Sequence, residues 1–531
     1  MPVTLQFLGA AATVTGSQYL LTTDRAKVLI DCGMFQGTPE ERIRNQVPFA
    51  YDPADVDAML LTHAHLDHCG QIPRLVKAGY RGPIYATAGT IELAALVLLD
   101  SGKLQEEFAK RDMRWERRHP DQAEQEDKQD LAEYQAALAL AAAGDALAGS
   151  PAMAPPGSVA TGEHVPTQIE PATGAAAADG EPPPDLDEPL YTEADARVSL
   201  ASFRPIDYDE EREVAPGIHV RFVDAGHILG SAIIVMRVDA DSGSEERTIV
   251  FSGDLGRPGA PILRDYTAVK SADYVLVETT YGGREHQPEQ EAVRVLAETV
   301  RLVSDAKGVL LVPSFAIGRT QDLVYELDRL IDAGEIPLLP LYLDSPMGSK
   351  ATDIYRRHTE YYDQDAEAVQ RAGETPLDYP NQIITNDVKD SQLIERATRP
   401  YMIVASNGML TGGRVVGHLR NLIGDPNATI LFVGYQGVGT LGASLQAGAT
   451  TARVDGAVVQ VKCKIKSISG FSAHADEPQI LAWLSNFGAN GVKRVFLVHG
   501  EPDAQTAIEP KIDALGLPTY IPHWHEKVEL S

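Results

Sequence analysis

The chain has 531 residues, 44% of them hydrophobic and 6% aromatic, and a formal net charge of −29. That length buries a large core and calls for at least two domains, while no run approaches the ~18 apolar residues that cross a bilayer, so no membrane span is expected. The charge excludes a generally basic surface, and any site for a polyanion has to be a local feature.

Met1-Pro2-Val3-Thr4 runs straight into a strand pattern with no basic and then apolar leader, so export is not expected. Residues 3–9 alternate like a half-buried strand, and 18–21 and 27–30 read as the next two. The third ends in Asp31-Cys32-Gly33, a carboxylate and a glycine suited to capping a turn. An apolar run over 58–61 then enters Thr62-His63-Ala64-His65-Leu66-Asp67-His68-Cys69. His63 and His65 lie two apart, so on an extended segment both imidazoles face one side and can bind one ion. Asp67 and His68 fall past the turn, placed for a second ion. Burying four such groups without a cation leaves several polar groups in need of partners at once. Cys32, Cys69 and Cys463 cannot all pair and show no C-x-x-C spacing, which points to a reducing, cytoplasmic setting.

Residues 71–78 read as a helix, 84–87 as a short strand, 90–99 as an apolar helix, and the stretch from 103 as a charged helix. An insertion of roughly seventy residues, about 120–188, is alanine-rich at 136–143 and rich in Pro, Gly and Ala from about 150. Between Lys128 and Arg197 there are twelve Asp and Glu residues and no Lys or Arg. With so few large apolar side chains, the insertion is expected to be disordered, and of the roles open to it (a spacer, a partner-docking arm, a nucleic-acid mimic that shields the cleft) the spacer is favoured.

Regular patterning resumes near 189. A strand over 220–224 leads to Gly226-His227, one imidazole delivered at a turn, and a strand over 248–251 leads to Gly253-Asp254, a carboxylate between glycines that can bridge two ions. Residues 274–277 end at Glu278. From about 284 to 465, helices (291–304, 320–333) alternate with strands (309–312, 341–343, 402–405, 429–433), the rhythm of a parallel sheet with helices on its faces. The strand ends carry Ser314 and Arg319, then Ser345, then Ser406-Asn407-Gly408. Backbone N–H groups in such loops suit phosphate, and ligands of open α/β sheets gather at carboxyl ends. The chain then reaches Ser472-Ala473-His474 and Val498-His499.

H-x-H-x-D-H after a strand, followed by His227, Asp254, Glu278, His474 and His499 in these settings, resembles the metallo-β-lactamase superfamily of di-zinc hydrolases and, within it, the β-CASP nucleases. The resemblance implies an α/β fold, with an αββα sandwich built from 1–283 and 466–531 and an inserted β-CASP α/β cap at 284–465. It implies that His63, His65, His227 and Asp254 hold one Zn2+, that Asp67, His68, Asp254 and His499 hold the other, and that Asp31 orients a ligand histidine. It implies that His474, held by Glu278, protonates the leaving 3′-oxygen while Asp67 takes a proton from the attacking water, giving 5′-phosphate and 3′-hydroxyl ends. Single-stranded RNA is the expected substrate, met by Ser314, Arg319, Ser345, Ser406, Asn407 and Gly408. DNA as substrate, endo- against 5′-exonuclease mode, and a homodimer stay open. So do two other roles, hydrolysis of a small ester or thioester and a non-catalytic scaffold.

Overall fold

The computed structural model describes residues 3–147, 185–240, 245–434, 436–437, 439–488 and 491–531. Short runs of Val, Ile, Leu, Tyr and Phe supply its strands in three successive groups. The first group is β1 (Val3–Phe7), β2 (Tyr19–Thr22), β3 (Lys27–Ile30), β4 (Ala58–Leu60), β5 (Ile84–Ala86) and β6 (Phe203–Pro205). The second is β7 (Glu211–Ala215), β8 (Ile218–Asp224), β9 (Ala232–Val238), β10 (Arg247–Phe251) and β11 (Tyr274–Glu278). The third is β12 (Val309–Pro313), β13 (Leu341–Asp344), β14 (Gln382–Ile384), β15 (Tyr401–Ala405), β16 (Ala428–Phe432), a hairpin of β17 (Thr451–Val454) and β18 (Ala457–Gln460), and β19 (Lys464–Ser467). The chain then returns to the first two groups with β20 (Arg494–Val498), β21 (Thr519–Tyr520) and β22 (Lys527–Leu530).

These strands assemble as two seven-stranded sheets, β22-β1-β2-β3-β4-β5-β6 and β21-β20-β11-β10-β9-β8-β7. Alternation of side chains sends one set from each sheet inward. Phe7, Leu21, Ile30 and Leu60 meet Phe222, Ile234, Phe251 and Phe496 in one buried cluster, where the Phe7 and Phe496 ring centroids are 5.1 Å apart. The opposite set of the first sheet (Leu29, Met59, Leu61) packs under the helices Ile72–Lys77 and Ala88–Glu116 through Leu75, Leu93 and Val97. That of the second (Val223, Ile233, Val250) packs under Glu477–Leu484 and Pro502–Ala514 through Trp483, Ile508 and Ile512. The layers are helix, sheet, sheet, helix, the αββα arrangement that the resemblance implies.

The third sheet is parallel throughout, in the order β14-β13-β15-β12-β16-β19. β12, β15 and β16 are buried along their whole length, as helices on both faces require. The cap docks on the sandwich through its helix Pro346–Arg357 and the turn that follows. The Tyr355 hydroxyl accepts from the Leu229 N–H at 3.2 Å, the Tyr361 hydroxyl from the Gly89 N–H at 3.3 Å, and Arg357 pairs with Glu92.

Two elements differ from the sequence reading. The apolar helix near 90 and the charged stretch after 103 are one 29-residue helix, Ala88–Glu116, capped by the Thr87 side chain. The insertion, read as disordered from about 120, begins with a second long helix, Pro120–Ala146. Its Ala123, Tyr134, Ala137, Ala141 and Gly144 are buried. A Cβ on Gly144 would lie 1.8 Å from the Trp524 carbonyl oxygen, so the backbones touch where no side chain fits. Asp145 accepts from the Gln6 amide at 3.1 Å and faces His525 at 3.4 Å. Small side chains let this helix approach closely, which a count of large apolar residues does not register. Residues 148–184 lie outside the described residues, and the expectation of disorder for them stands untested.

Candidate metal centre

The H-x-H-x-D-H segment leaves β4 extended, so His63 and His65 share one side, and at His65 the backbone turns into the short helix Leu66–Cys69 that carries Asp67 and His68. Its backbone is clamped by the end of β3. Ser17 N–H donates to the Asp67 carbonyl at 2.8 Å, Cys32 N–H to that of His68 at 2.8 Å, and Met34 N–H to that of Leu66 at 3.0 Å. Gly33 is required here, since a Cβ would sit 1.6 Å from the Asp67 carbonyl oxygen. Asp31 accepts from the Thr62 N–H at 2.8 Å and lies 2.7 Å from His68 Nδ1, which turns His68 Nε2 toward the centre of the site.

Three later turns bring in the remaining groups. Gly226, at φ 66°, precedes His227, and Gly253, at φ 54°, precedes Asp254; positive φ is the region that glycine reaches without steric cost. His499 itself stands at φ 48°, held by its N–H to the Ala10 carbonyl at 2.8 Å and by the Thr280 hydroxyl 3.1 Å from Nδ1. His227 Nδ1 lies 3.2 Å from the Ala473 carbonyl, which leaves Nε2 inward.

The inward atoms form two groups, His63 with His65, His227 and Asp254, and Asp67 with His68 and His499. In the first, His63 Nε2 and His227 Nε2 lie 3.1 and 3.2 Å from His65 Nδ1, and 3.4 and 3.5 Å from Asp254 Oδ2. In the second, His68 Nε2 and His499 Nε2 are 3.1 Å apart, and lie 3.2 and 3.6 Å from Asp254 Oδ1. Asp254 therefore turns one oxygen to each group. Ligand atoms about 2.0–2.1 Å from a tetrahedral ion stand about 3.3–3.4 Å from each other, so the spacings fit a cation at each centre. Among the described residues, Asp254 Oδ1 has no hydrogen-bond donor of its own, and the residue is only 2% exposed. An orphaned buried carboxylate oxygen beside two ring nitrogens is chemistry that a divalent cation satisfies. Burial lowers the His63 pKa to about 3 and that of His65 to about 4, keeping both imidazoles neutral as ligands must be.

A third constellation adjoins these. Glu278, fully buried, accepts from the Leu255 N–H at 2.8 Å and lies 3.1 Å from His474 Nδ1. Burial of the His474 ring works against its protonation, but the Glu278 carboxylate, aided by Asp254 and Asp67, outweighs it and raises the pKa to about 9. His474 Nε2 is left free of protein partners among the described residues.

The residues read from strand ends stand at the carboxyl ends of β12, β13 and β15. Ser314 accepts from the Thr320 hydroxyl at 3.2 Å, Ser345 caps the helix Pro346–Arg357 and meets the Ser406 hydroxyl at 2.9 Å, and Asn407 accepts from the Met409 N–H at 2.7 Å. Ser314, Ser345 and Arg319 are buried, whereas Ser406 and Asn407 are partly open. The Ser314–Arg319 loop reaches the residue that follows His227. A Cβ on Gly318 would lie 3.0 Å from Ile228, the neighbour of His227. Sequence reasoning missed Thr280, His286 and Phe315. His286 Nε2 lies 2.9 Å from the His474 carbonyl, and Phe315 is exposed with its ring against Gly408. Their only signal was closeness to Glu278 and Ser314 along the chain.

Residues 12–98 match the metallo-beta-lactamase superfamily, 320–445 the Beta-Casp domain, and 458–522 the Zn-dependent metallo-hydrolase RNA specificity domain. The chain is 33% identical over 500 residues to a ribonuclease of Thermus thermophilus, covering 94% of both chains. It is 28% identical over 514 residues to the transcription termination factor FttA of Methanosarcina mazei, covering 94% of this chain and 67% of that one. To FttA of Methanocaldococcus jannaschii it is 27% identical over 512 residues, again 94% and 67%. No helix of the described residues is long and apolar enough to cross a membrane.

Proposed function

Because the chain belongs to the β-CASP branch of the metallo-β-lactamase superfamily, we propose that it is a zinc-dependent ribonuclease that cleaves phosphodiester bonds of single-stranded RNA. The observation that carries this reading is Asp254, set between two groups of ring nitrogens with one carboxylate oxygen turned to each. His63, His65, His227 and Asp254 would hold one zinc ion, and Asp67, His68, Asp254 and His499 the other. Two ions bound there would supply Lewis acidity to the phosphate and an activated water at neutral pH.

The chain's own residues do the rest. Asp67, whose side chain is 19% exposed, takes a proton from the attacking water. Glu278 fixes His474 by Nδ1, so Nε2 can give a proton to the leaving 3′-oxygen. The buried Leu255 N–H holds the Glu278 carboxylate in place and thereby sets the tautomer. The products are a 5′-phosphate and a 3′-hydroxyl. Ser406, Asn407 and Gly408, with the Ser314–Arg319 loop, line the cap side of the substrate path. Three free, buried cysteines agree with a reducing, cytoplasmic setting.

The test is cleavage of a 5′-labelled single-stranded RNA and of the same-sequence DNA by the wild type and by Asp67→Ala, with bound zinc measured in parallel. RNA fragments from the wild type alone are expected. Internal fragments mark an endonuclease, and release of labelled mononucleotide marks a 5′-exonuclease. Intact RNA in the presence of zinc-loaded wild type would overturn the reading.

A further inference from the structure

β19 is an edge strand, paired on one side with β16 and open on the other. Around it runs Lys462-Cys463-Lys464-Ile465-Lys466, and nowhere else in the chain do three lysines fall within five residues. Cys463 and Ile465 pack inward against the cluster around Leu419 and Ile430. Alternation then places Lys464 and Lys466 together on the other face, with Lys462 in the segment that leads into the strand. Lys466 reaches the helix Glu289–Asp305, its Nζ 3.1 Å from the Thr299 hydroxyl. Lys462 and Lys464 are exposed. None of the three forms an ion pair among the described residues, in a chain whose acidic side chains outnumber its basic ones by 75 to 46.

A row of unpaired cations on an acidic protein needs a reason. Edge strands carry lysine to block sheet-to-sheet association, but the opposite edge of this same sheet, β14, exposes Ile383 and Ile384 (38% and 46%) and has no lysine. Edge protection would be placed there first. The row also has a direction. β19 runs parallel to β16, so Lys466 stands at the carboxyl end of the sheet, and the chain continues through Ser469–Ala473 into His474. Lys464 and Lys466, two apart on one face of the strand, are about 6.6 Å apart, which matches the spacing of phosphates along an extended single strand.

We propose that Lys462, Lys464 and Lys466 form the track along which the phosphodiester backbone of single-stranded RNA crosses the edge of the cap toward His474. The proposal rests on the ribonuclease reading and adds a location for the local positive charge that the overall charge of −29 withholds elsewhere. Bases point away from the row, so the track is indifferent to sequence and its affinity falls with salt.

The test uses the full chain carrying His474→Ala, so that RNA is bound and not cut, with a fluorescein-labelled oligouridylate followed by anisotropy at rising KCl. Lys462→Gln/Lys464→Gln/Lys466→Gln should flatten the slope of log Kd against log salt by about 2, at about 0.7 for each single-strand phosphate that no longer meets a lysine. The double variant Lys462→Gln/Lys464→Gln, which leaves the Lys466–Thr299 hydrogen bond intact, should flatten it by about 1.4. Replacement of all three by arginine should keep the parent slope. Unchanged slope and Kd in both glutamine variants would overturn the track and leave the lysines as edge protection. Absence of RNA binding by the His474→Ala parent would instead strike the ribonuclease reading on which the track rests.

Discussion

At the scale of single residues, the proposed function separates groups that would hold metal from the group that would move a proton. His474→Ala removes a ring that sits outside both ligand clusters, so zinc content should stay as in the wild type. RNA cleavage should fall by about 10²–10⁴-fold, the usual contribution of a positioned acid. Metal analysis beside a cleavage assay reads both. Asp254→Ala should do the opposite, because one side chain serves both clusters. Both ions should be lost or bound far more weakly, seen as zinc released on dialysis. The members of the two clusters were legible in the sequence because His63, His65, Asp67 and His68 sit in one hexapeptide, and because Gly226 and Gly253 flag the turns before His227 and Asp254. The supports were less so. Thr280 on His499 and His286 behind His474 act across 219 and 188 residues of sequence, which no local pattern announces.

At the scale of elements, the end of β13 carries a buried network that the sequence showed only as a polar strand end. The Asp344 carboxylate meets His418 at 2.6 Å, Arg414 at 2.7 Å, and the hydroxyls of Thr385 and Ser391. Burial works against its ionisation, but these four partners outweigh it and hold the pKa well below the usual carboxylate range. With the folded pKa below the unfolded one, the stabilisation is complete at neutral pH and fades as acidification passes through and below the ordinary carboxylate range, near pH 4. Asp344→Asn leaves Arg414 without its buried counter-charge and should cost about 3–5 kcal/mol. Urea unfolding at pH 7 measures it, and the gap between variant and wild type should narrow at pH 3. The helix Pro120–Ala146 offers a second check. Gly144→Val drives a side chain into the Trp524 carbonyl and should cost about 1–3 kcal/mol, with earlier proteolysis within 120–146. That helix was misread because it packs through alanine and glycine, residues that count for little in a tally of apolar bulk yet allow close backbone approach.

At the scale of the molecule, the alternating helices and strands of the cap followed from periodicity and the layer order from the family resemblance, whereas the strand order followed from neither. β20 enters between β11 and β21, and β22 lies beside β1, pairings fixed by three-dimensional packing of inner faces such as Phe7 on Phe496. Because the residues of the two clusters come from both sheets of this sandwich, metal bound there would tie its halves together. Dialysis against a chelator should lower Tm, and zinc should restore it, with a stabilisation of about 4 kcal/mol when free metal is a thousandfold above its Kd. The return of β20 to β22 also sets a schedule for synthesis. At roughly 5–20 residues per second, a ribosome delivers His499 long after His63 and Asp254. The nascent chain therefore assembles the second cluster only near the end of its synthesis, once His499 has been made.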